Sequence, residues 1–556
     1  MPVLIFASLL CLGWLVPDHF PPWQAFHNEA PVFLGLILAA LIMVWRRKLQ
    51  RWQVPAGLFP SLALMGIALA QYVFGQLVFA GDLWLVWLYV GGFGLAWLLG
   101  HVWAEGGEKT HFTAFDTLVL AFATGATVSA LMCFVQWFEL EGDWAPWVMS
   151  AAHSTRAIAN LAQPNQLSTL LLTGVIATAV LYERRRVSGE LALLLIGLQS
   201  LAAVLTQSRT GLLVVVMLVI TAWWGAKAWR QVSFRQVFMW GLAFVFLSLL
   251  FQWGAQGTAK AAIGGQALQV GTRPLLWQQF AAALSESPWL GYGWLQTVRA
   301  QEVGALTVPG QEQATYTHNH LLDLAIWLGL PLTLLLIAWI SLIVWQRRKG
   351  LHEPKVVMAL FCLLPIGCHA LLEFPLAYAY FLFPAGVLLG MMDRWTEGAK
   401  VGRVFIPAVV TGAFVASYAL LASGVVLDYV AAEEDFRVAR FENRKLGETP
   451  ADYKVPELKL LDQLRTMLRA LRLKATPNMA EAEIELLAKA SNRYFWTALH
   501  FKYALALGLN GRPEQATREL ELIRGLFGEK IYAAVREDFL RLQREVHPQL
   551  ERVMIP

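Results

Sequence analysis

Apolar residues in this chain come in long runs broken by short polar gaps, and a bilayer-spanning helix needs about 20 such residues in succession. The runs fall at residues 3–16, 31–45, 55–71, 83–103, 115–138, 167–182, 191–207, 210–224, 237–253, 321–345, 356–372, 378–392 and 404–430. They predict an all-α, polytopic membrane bundle of about 10–14 spans, the shorter runs being tilted, re-entrant or merged. The first run has no basic segment before it and no small-residue cleavage site after it, so it reads as a retained span. One polar stretch, 254–320, is too long for a tight connection and predicts a large loop outside the bilayer. From about Ala431 the pattern changes to Ala, Leu, Glu and Arg with helical periodicity. There, "YFWTALHFKYALALGLNGRPEQATRELELI" (494–523) reads as two helices joined at "NGRPEQA". Asn-Gly ends the first and Pro513 opens the second. The placement of aromatics and alanines in this pair is tetratricopeptide-like. The expected organisation is a membrane domain over 1–430 and a soluble helical domain over 431–556.

Charge gives the bundle an orientation. With the N-terminus inside, "RRKLQR" (46–51), "ERRR" (183–186), "KAWRQVSFR" (227–235), "QRRK" (346–349) and the stretch 394–403 fall on one side. Those loops hold roughly eighteen Lys and Arg and the opposite ones about five, the bias that fixes topology. An odd number of spans then puts the C-terminal tail outside.

Composition narrows the function classes. The 556 residues are 57% hydrophobic and 15% charged, whereas soluble domains lie near 45–50% and 25%. The net charge of +5 comes from loops on one face, with no basic-aromatic patch for nucleic acid. Cys11, Cys133, Cys362 and Cys368 lie inside apolar runs and read as packing residues. No P-loop or G-x-G-x-x-G fingerprint appears, and no metal or cofactor is expected.

Five unusual polar motifs share the outer face: "RAIANLAQPNQLSTLL" (156–171), "TQSRTGLL" (206–213), "GTRPLLWQQF" (271–280), "TYTHNHLLDLAIWLGLP" (315–331) and "EFPLAY" (373–378). Arg156, Arg209 and Arg273 stand on the side that the topology rule keeps poor in basic residues. Each is either a snorkelling headgroup anchor or part of a phosphate clamp, since a planar guanidinium binds phosphate with two parallel hydrogen bonds. His318, Asn319 and His320 are either a polar cap on a helix or a general acid–base site, because imidazole titrates near neutrality. Asp323, one turn on, orients a ring or caps the helix start. Around Pro164, Gln163, Asn165 and Gln166 mark a helix entrance, or bind a sugar or phosphate at its positive end. Glu373 neutralises an arginine or binds an acceptor.

These motifs resemble the bacterial protein O-oligosaccharyltransferases of the PglL type, within the superfamily of O-antigen ligases and polymerases. The carriers are "NLAQPNQLSTLLL", "QSRTGLL", "GTRPLLWQQ", "SPWLGYGW" (287–294) and "HNHLLDLAIWLGLP", spread over roughly 114–390. The resemblance implies glycan transfer from an undecaprenyl-diphosphate-linked oligosaccharide to a Ser/Thr hydroxyl of a pilin or other periplasmic protein. It matches His318, eleven residues before Gly329, to the family's essential histidine, and Arg209 and Arg273 to its arginines. A histidine at 320 departs from the pattern. An O-antigen ligase acting on lipid A-core, an O-antigen polymerase and a lipid-linked sugar transporter are the alternatives. A transporter places polar groups at mid-bilayer and shows inverted repeats, whereas these motifs lie at one surface.

Overall fold

A computed structural model describes residues 1–47, 51–55, 57–105, 112–151, 154, 156–254, 273–396 and 404–556. Parts of the basic stretches (48–50 and 397–403) and of the long loop (255–272, with Gly271 and Thr272) lie outside the described residues.

The fold is helical: α1 (Pro2–Leu15), α2 (Phe26–Arg46), α3 (Leu58–Val73), α4 (Ala80–Trp103), α5 (Ala114–Trp137), α6 (Pro164–Glu183), α7 (Gly189–Leu205), α8 (Arg209–Gly225) and α9 (Phe234–Gly254) lead the chain. The long loop then contributes α10 (Arg273–Glu286) and α11 (Thr297–Thr307). After them come α12 (His320–Leu328), α13 (Leu330–Arg347), α14 (Pro354–Ala370), α15 (Ala379–Trp395) and α16 (Ala408–Asn443). The tail holds α17 (Asp462–Arg472), α18 (Glu481–Ser491), α19 (Thr497–Leu509) and α20 (Pro513–Glu545). Every apolar run carries a helix, and among the described residues seven helices are long and apolar enough to cross a membrane. One expected span is corrected. The run 321–345 divides at Gly329 into α12 and α13, because Gly329 adopts φ +78° and ends the first helix.

The chain packs as two compact units. The first comprises Met1–Met65, Trp87–Gln269 and Ala338–Ala422. Its centre is α6, whose apolar stretch is 83% buried, because Gly174 and Gly211 let α5 and α8 approach closely. A Cβ on Gly211 would stand 2.3 Å from Ser168 Oγ. At one set of helix ends, ion pairs join Arg47 to Glu105, Arg184 and Arg186 to Asp116, and Arg347 to Asp393. Each pair joins ends that the Lys/Arg rule assigns to one side. The same holds for the two-stranded ribbon of β1 (Trp52–Gln53) and β2 (Phe405–Ile406). At the opposite ends, Asn160 is a buried hub. Its Nδ2 donates to the Leu15 and Trp147 carbonyls at 2.7 and 2.8 Å, and its Oδ1 accepts from Met149 N at 2.9 Å. Gln136 satisfies both backbone groups of Ala159, donating at 3.0 Å and accepting at 2.8 Å.

The second unit comprises Gly66–Val86, Val270–Ile337 and Ser423–Pro556, so the tail folds together with segments drawn from within the first 430 residues. Asp462 caps the start of α4 by accepting from Ala80 N and Gly81 N at 3.2 and 2.8 Å. Arg493 grips the buried Asp82 through two nitrogens, at 2.9 Å to Oδ1 and 3.1 Å to Oδ2. The predicted helix pair is present as α19 and α20, joined by the turn at Asn510–Arg512. Its core comprises Ala504, Leu507, Ala516, Leu520, Ile523 and Phe539. Beside it His500 Nδ1 lies 2.6 Å from Glu519 Oε1. Glu302 on α11 is 8% exposed, and its Oε1 has no hydrogen-bond partner among the described residues.

Candidate functional site

In the first unit the break between α7 and α8 is made by Gln207, at φ +48°, and Ser208, whose Oγ accepts from Gly211 N at 3.0 Å as the helix cap. That cap leaves Arg209 as the first residue of α8, exposed at a positive helix end. Pro164 opens α6 as predicted, with Gln163 as its N-cap. Asn165 then links three segments. Its Oδ1 accepts from Ser208 Oγ at 2.8 Å and from Arg156 at 3.3 Å, and its Nδ2 donates to Glu373 Oε1 at 3.0 Å. Arg156 also donates from Nε to the Thr206 carbonyl at 2.7 Å. Burial first, and the charge of Arg209 second, push the Arg156 guanidinium down to about 10, while Glu373 opposes the shift. Arg156, Arg209, Asn165 and Glu373 are therefore one electrostatic cluster.

Gln163 and Gln166, expected among ligand contacts, are used internally. Gln163 Oε1 caps Gln166 N at 2.7 Å, and buried Gln166 Oε1 receives the Tyr380 hydroxyl at 2.5 Å. Both oxygens thus brace the start of α6. Below them, Thr169 Oγ1 and His369 Nδ1 lie 2.8 Å apart on α6 and α14. Glu29 accepts from Tyr89, Trp23 and Ala379 N at 2.7, 3.0 and 2.7 Å. Sequence reasoning missed Thr169, His369 and Glu29 because they sit inside or beside apolar runs, where one polar residue gives no positional signal.

In the second unit His318 has φ +57°, a region costly for a side chain bearing a Cβ. Its neighbours fix it there. Thr317 N donates to Asp323 Oδ1 at 2.7 Å, and the Thr317 carbonyl accepts from Trp277 Nε1 at 2.9 Å. Asn319 is the N-cap of α12, its Oδ1 accepting from Leu321 N and Leu322 N at 3.0 and 3.2 Å. Asn319 is thus a structural cap. Asp323 braces Thr317 and stands within electrostatic reach of His318, while the cap of the helix start is Asn319. His320 begins α12 with its ring edge-on to Trp327, and enclosure lowers its proton affinity. Arg273 is the first residue of α10, the helix that carries Trp277.

Two quoted motifs meet behind the histidine. Tyr292 N donates to the Ile326 carbonyl at 2.7 Å, and Leu330 N to the Pro288 carbonyl at 2.8 Å. The approach requires glycine at 291 and 329, both with positive φ. A Cβ on Gly291 would stand 2.4 Å from Ile326 O, and one on Gly329 2.3 Å from Trp289 O.

The family described as protein glycosylation ligase matches residues 157–182, and the O-antigen ligase family matches 191–337. The family described as virulence factor membrane-bound polymerase, C-terminal, matches 357–540. A general O-oligosaccharyltransferase of Acinetobacter baylyi is 28% identical over 94% of this chain and 92% of its own length. A ComP-specific O-oligosaccharyltransferase of the same organism is 26% identical over 70% of this chain and 71% of its own. The first two matches cover the Asn165 cluster's entrance helix, the Arg209 break and the His318 segment, and over those segments this chain is similar to protein glycosylation ligases and O-antigen ligases.

Proposed function

We propose that the protein is an oligosaccharyltransferase that moves a glycan from undecaprenyl diphosphate to a Ser or Thr hydroxyl of a pilin or another periplasmic protein. The observation that carries this reading is the clustering of Arg156 and Arg209, with Asn165 and Glu373, at helix ends. Two guanidinium groups held close repel each other, and an anion between them relieves the repulsion. A diphosphate suits their forked donors. Arg209, Arg156 and Arg273 bind the diphosphate and stabilise the charge that grows on it as it leaves. His318 takes the proton from the acceptor hydroxyl as its oxygen attacks the anomeric carbon. The new C–O bond forms as the sugar–phosphate bond breaks, undecaprenyl diphosphate keeps the electron pair, and the anomeric configuration inverts. The lowered proton affinity of His320 supports His318 as the base. In this reading Glu373 sets the charge of the cluster, the inner membrane holds the chain, and the active face and tail lie in the periplasm.

Co-expression with a lipid-linked oligosaccharide pathway and a pilin tests the proposal. The wild-type chain shifts the pilin mass, and His318→Ala, Arg209→Ala and Arg273→Ala abolish the shift. Full glycosylation by all three variants overturns the residue assignment. The match to a polymerase C-terminal family favours one second reading, a glycan polymerase. Its mark is a lengthened lipid-linked glycan with no modified protein.

A further inference from the structure

We infer that Gln301, together with the bend in α20 at Gly525–Gly528, positions His318, so that the C-terminal helices are part of the catalytic scaffold. The inference rests on the reading that His318 acts in transfer. Residues 308–317, which lead to His318, form neither helix nor strand. An irregular segment needs partners for its buried backbone groups, and side chains from the surrounding helices supply them. Gln279 on α10 donates to the Val308 carbonyl at 2.8 Å. Gln301 on α11, fully buried, donates to the Glu312 carbonyl at 2.6 Å and accepts from Ala314 N at 3.0 Å. Its amide also donates to Gln279 Oε1 at 2.9 Å, so both ends of the side chain are engaged. Only Thr315 and Tyr316 separate this brace from Thr317, which Trp277 and Asp323 hold. So short a tether passes a displacement on to His318 instead of absorbing it.

The tail holds the other side of the segment. Gly528 has φ +75° and ψ 168°, which breaks α20. In an unbroken helix the carbonyls of Gly525 and Leu526 would accept from residues 529 and 530. The break turns them toward the segment: Gly310 N donates to Gly525 O at 2.8 Å and Gln313 Nε2 to Leu526 O at 3.2 Å. A Cβ on Gly525 would stand 2.8 Å from the Ala305 carbonyl, and one on Gly528 2.8 Å from Gln311 Cγ.

The test compares full-length Gln301→Met, which keeps the volume and loses all three hydrogen bonds, with Gln313→Met, which loses one at a half-buried position. Initial rates of transfer to an acceptor protein and hydrogen exchange over 308–318 are measured in detergent. Gln301→Met lowers kcat about ten- to a hundredfold, the size expected of a misplaced catalytic group. The KM for the lipid-linked donor stays within about twofold of wild type, since uniform binding is untouched, and exchange over 310–317 accelerates. Gln313→Met shows both effects in weaker form, and it carries the test alone if Gln301→Met does not fold. Wild-type kcat and wild-type protection in the folded variants overturn the inference, as does a loss confined to KM. His318→Ala is the control: if it still transfers glycan, the functional reading fails, whereas exchange still reports whether the clamp exists.

Discussion

In the first unit Arg156, Asn165, Ser208 and Glu373 are tied by side chains reaching across helix ends, while in the second His318 is set through its main chain. There Thr317 and Asn319 are hydrogen-bonded on either side of the histidine, whose own φ is +57°, and glycines behind it permit backbone contact. The first design sets charge, and the second sets direction. A charge cluster tolerates displacement, because Coulomb energy falls slowly with distance. A proton acceptor has to meet its donor within hydrogen-bond reach. The region that needs geometry is accordingly the one built from strained backbone.

Substitutions that separate charge from direction can break this comparison. His318→Ala gives the largest effect, a loss of about 10²–10⁴-fold in kcat. His318→Gly relieves the strain without restoring the ring, so an equal loss assigns the effect to the imidazole. Arg209→Ala follows, at about 10²–10³-fold. Arg209→Lys recovers part of it, since an ammonium keeps the charge and loses the fork. Wild-type rates in Arg209→Lys would mean that charge alone suffices. Gly329→Ala is expected to cost about 1–3 kcal/mol of stability through positive-φ strain alone, with the Trp289 carbonyl contact adding to it, read as a lower melting temperature in detergent.

The smallest effect concerns Glu302. Burial, with Glu519 adding repulsion and Arg299 opposing it, raises its proton affinity well above the ordinary carboxylate range. A folded state that holds this proton more tightly than the unfolded chain loses stability as pH rises from about 4.5 toward the shifted value. Glu302→Gln is therefore expected to raise the melting temperature by about 2–4 °C at neutral pH and to flatten that slope. An unchanged slope would remove Glu302 as its source.

Much of the bundle is written in the chain, because a span must satisfy its backbone within its own helix. That is why every apolar run carries a helix, and why Gly329, with its positive φ, divides one. Pro164 at the entrance of α6 and the "NGRPEQA" turn were legible for the same local reason. The roles of individual polar residues were less so. Gln163, Gln166 and Asn165 look alike in "AQPNQL", yet two brace α6 and the third joins Arg156 to Glu373. Glu29, His369 and Gln301 carried no signal, since a single polar residue in its stretch does not reveal which groups it will meet.

From the sequence follow the membrane class and the positions of the apolar helices, since hydrophobic length acts locally. Tertiary structure alone decided which amides serve as scaffold, that the long loop contributes α10 and α11, and that the tail folds with the His318 segment. Those outcomes depend on hydrogen bonds between residues far apart in sequence, whose cost and gain exist only once the backbones are packed together.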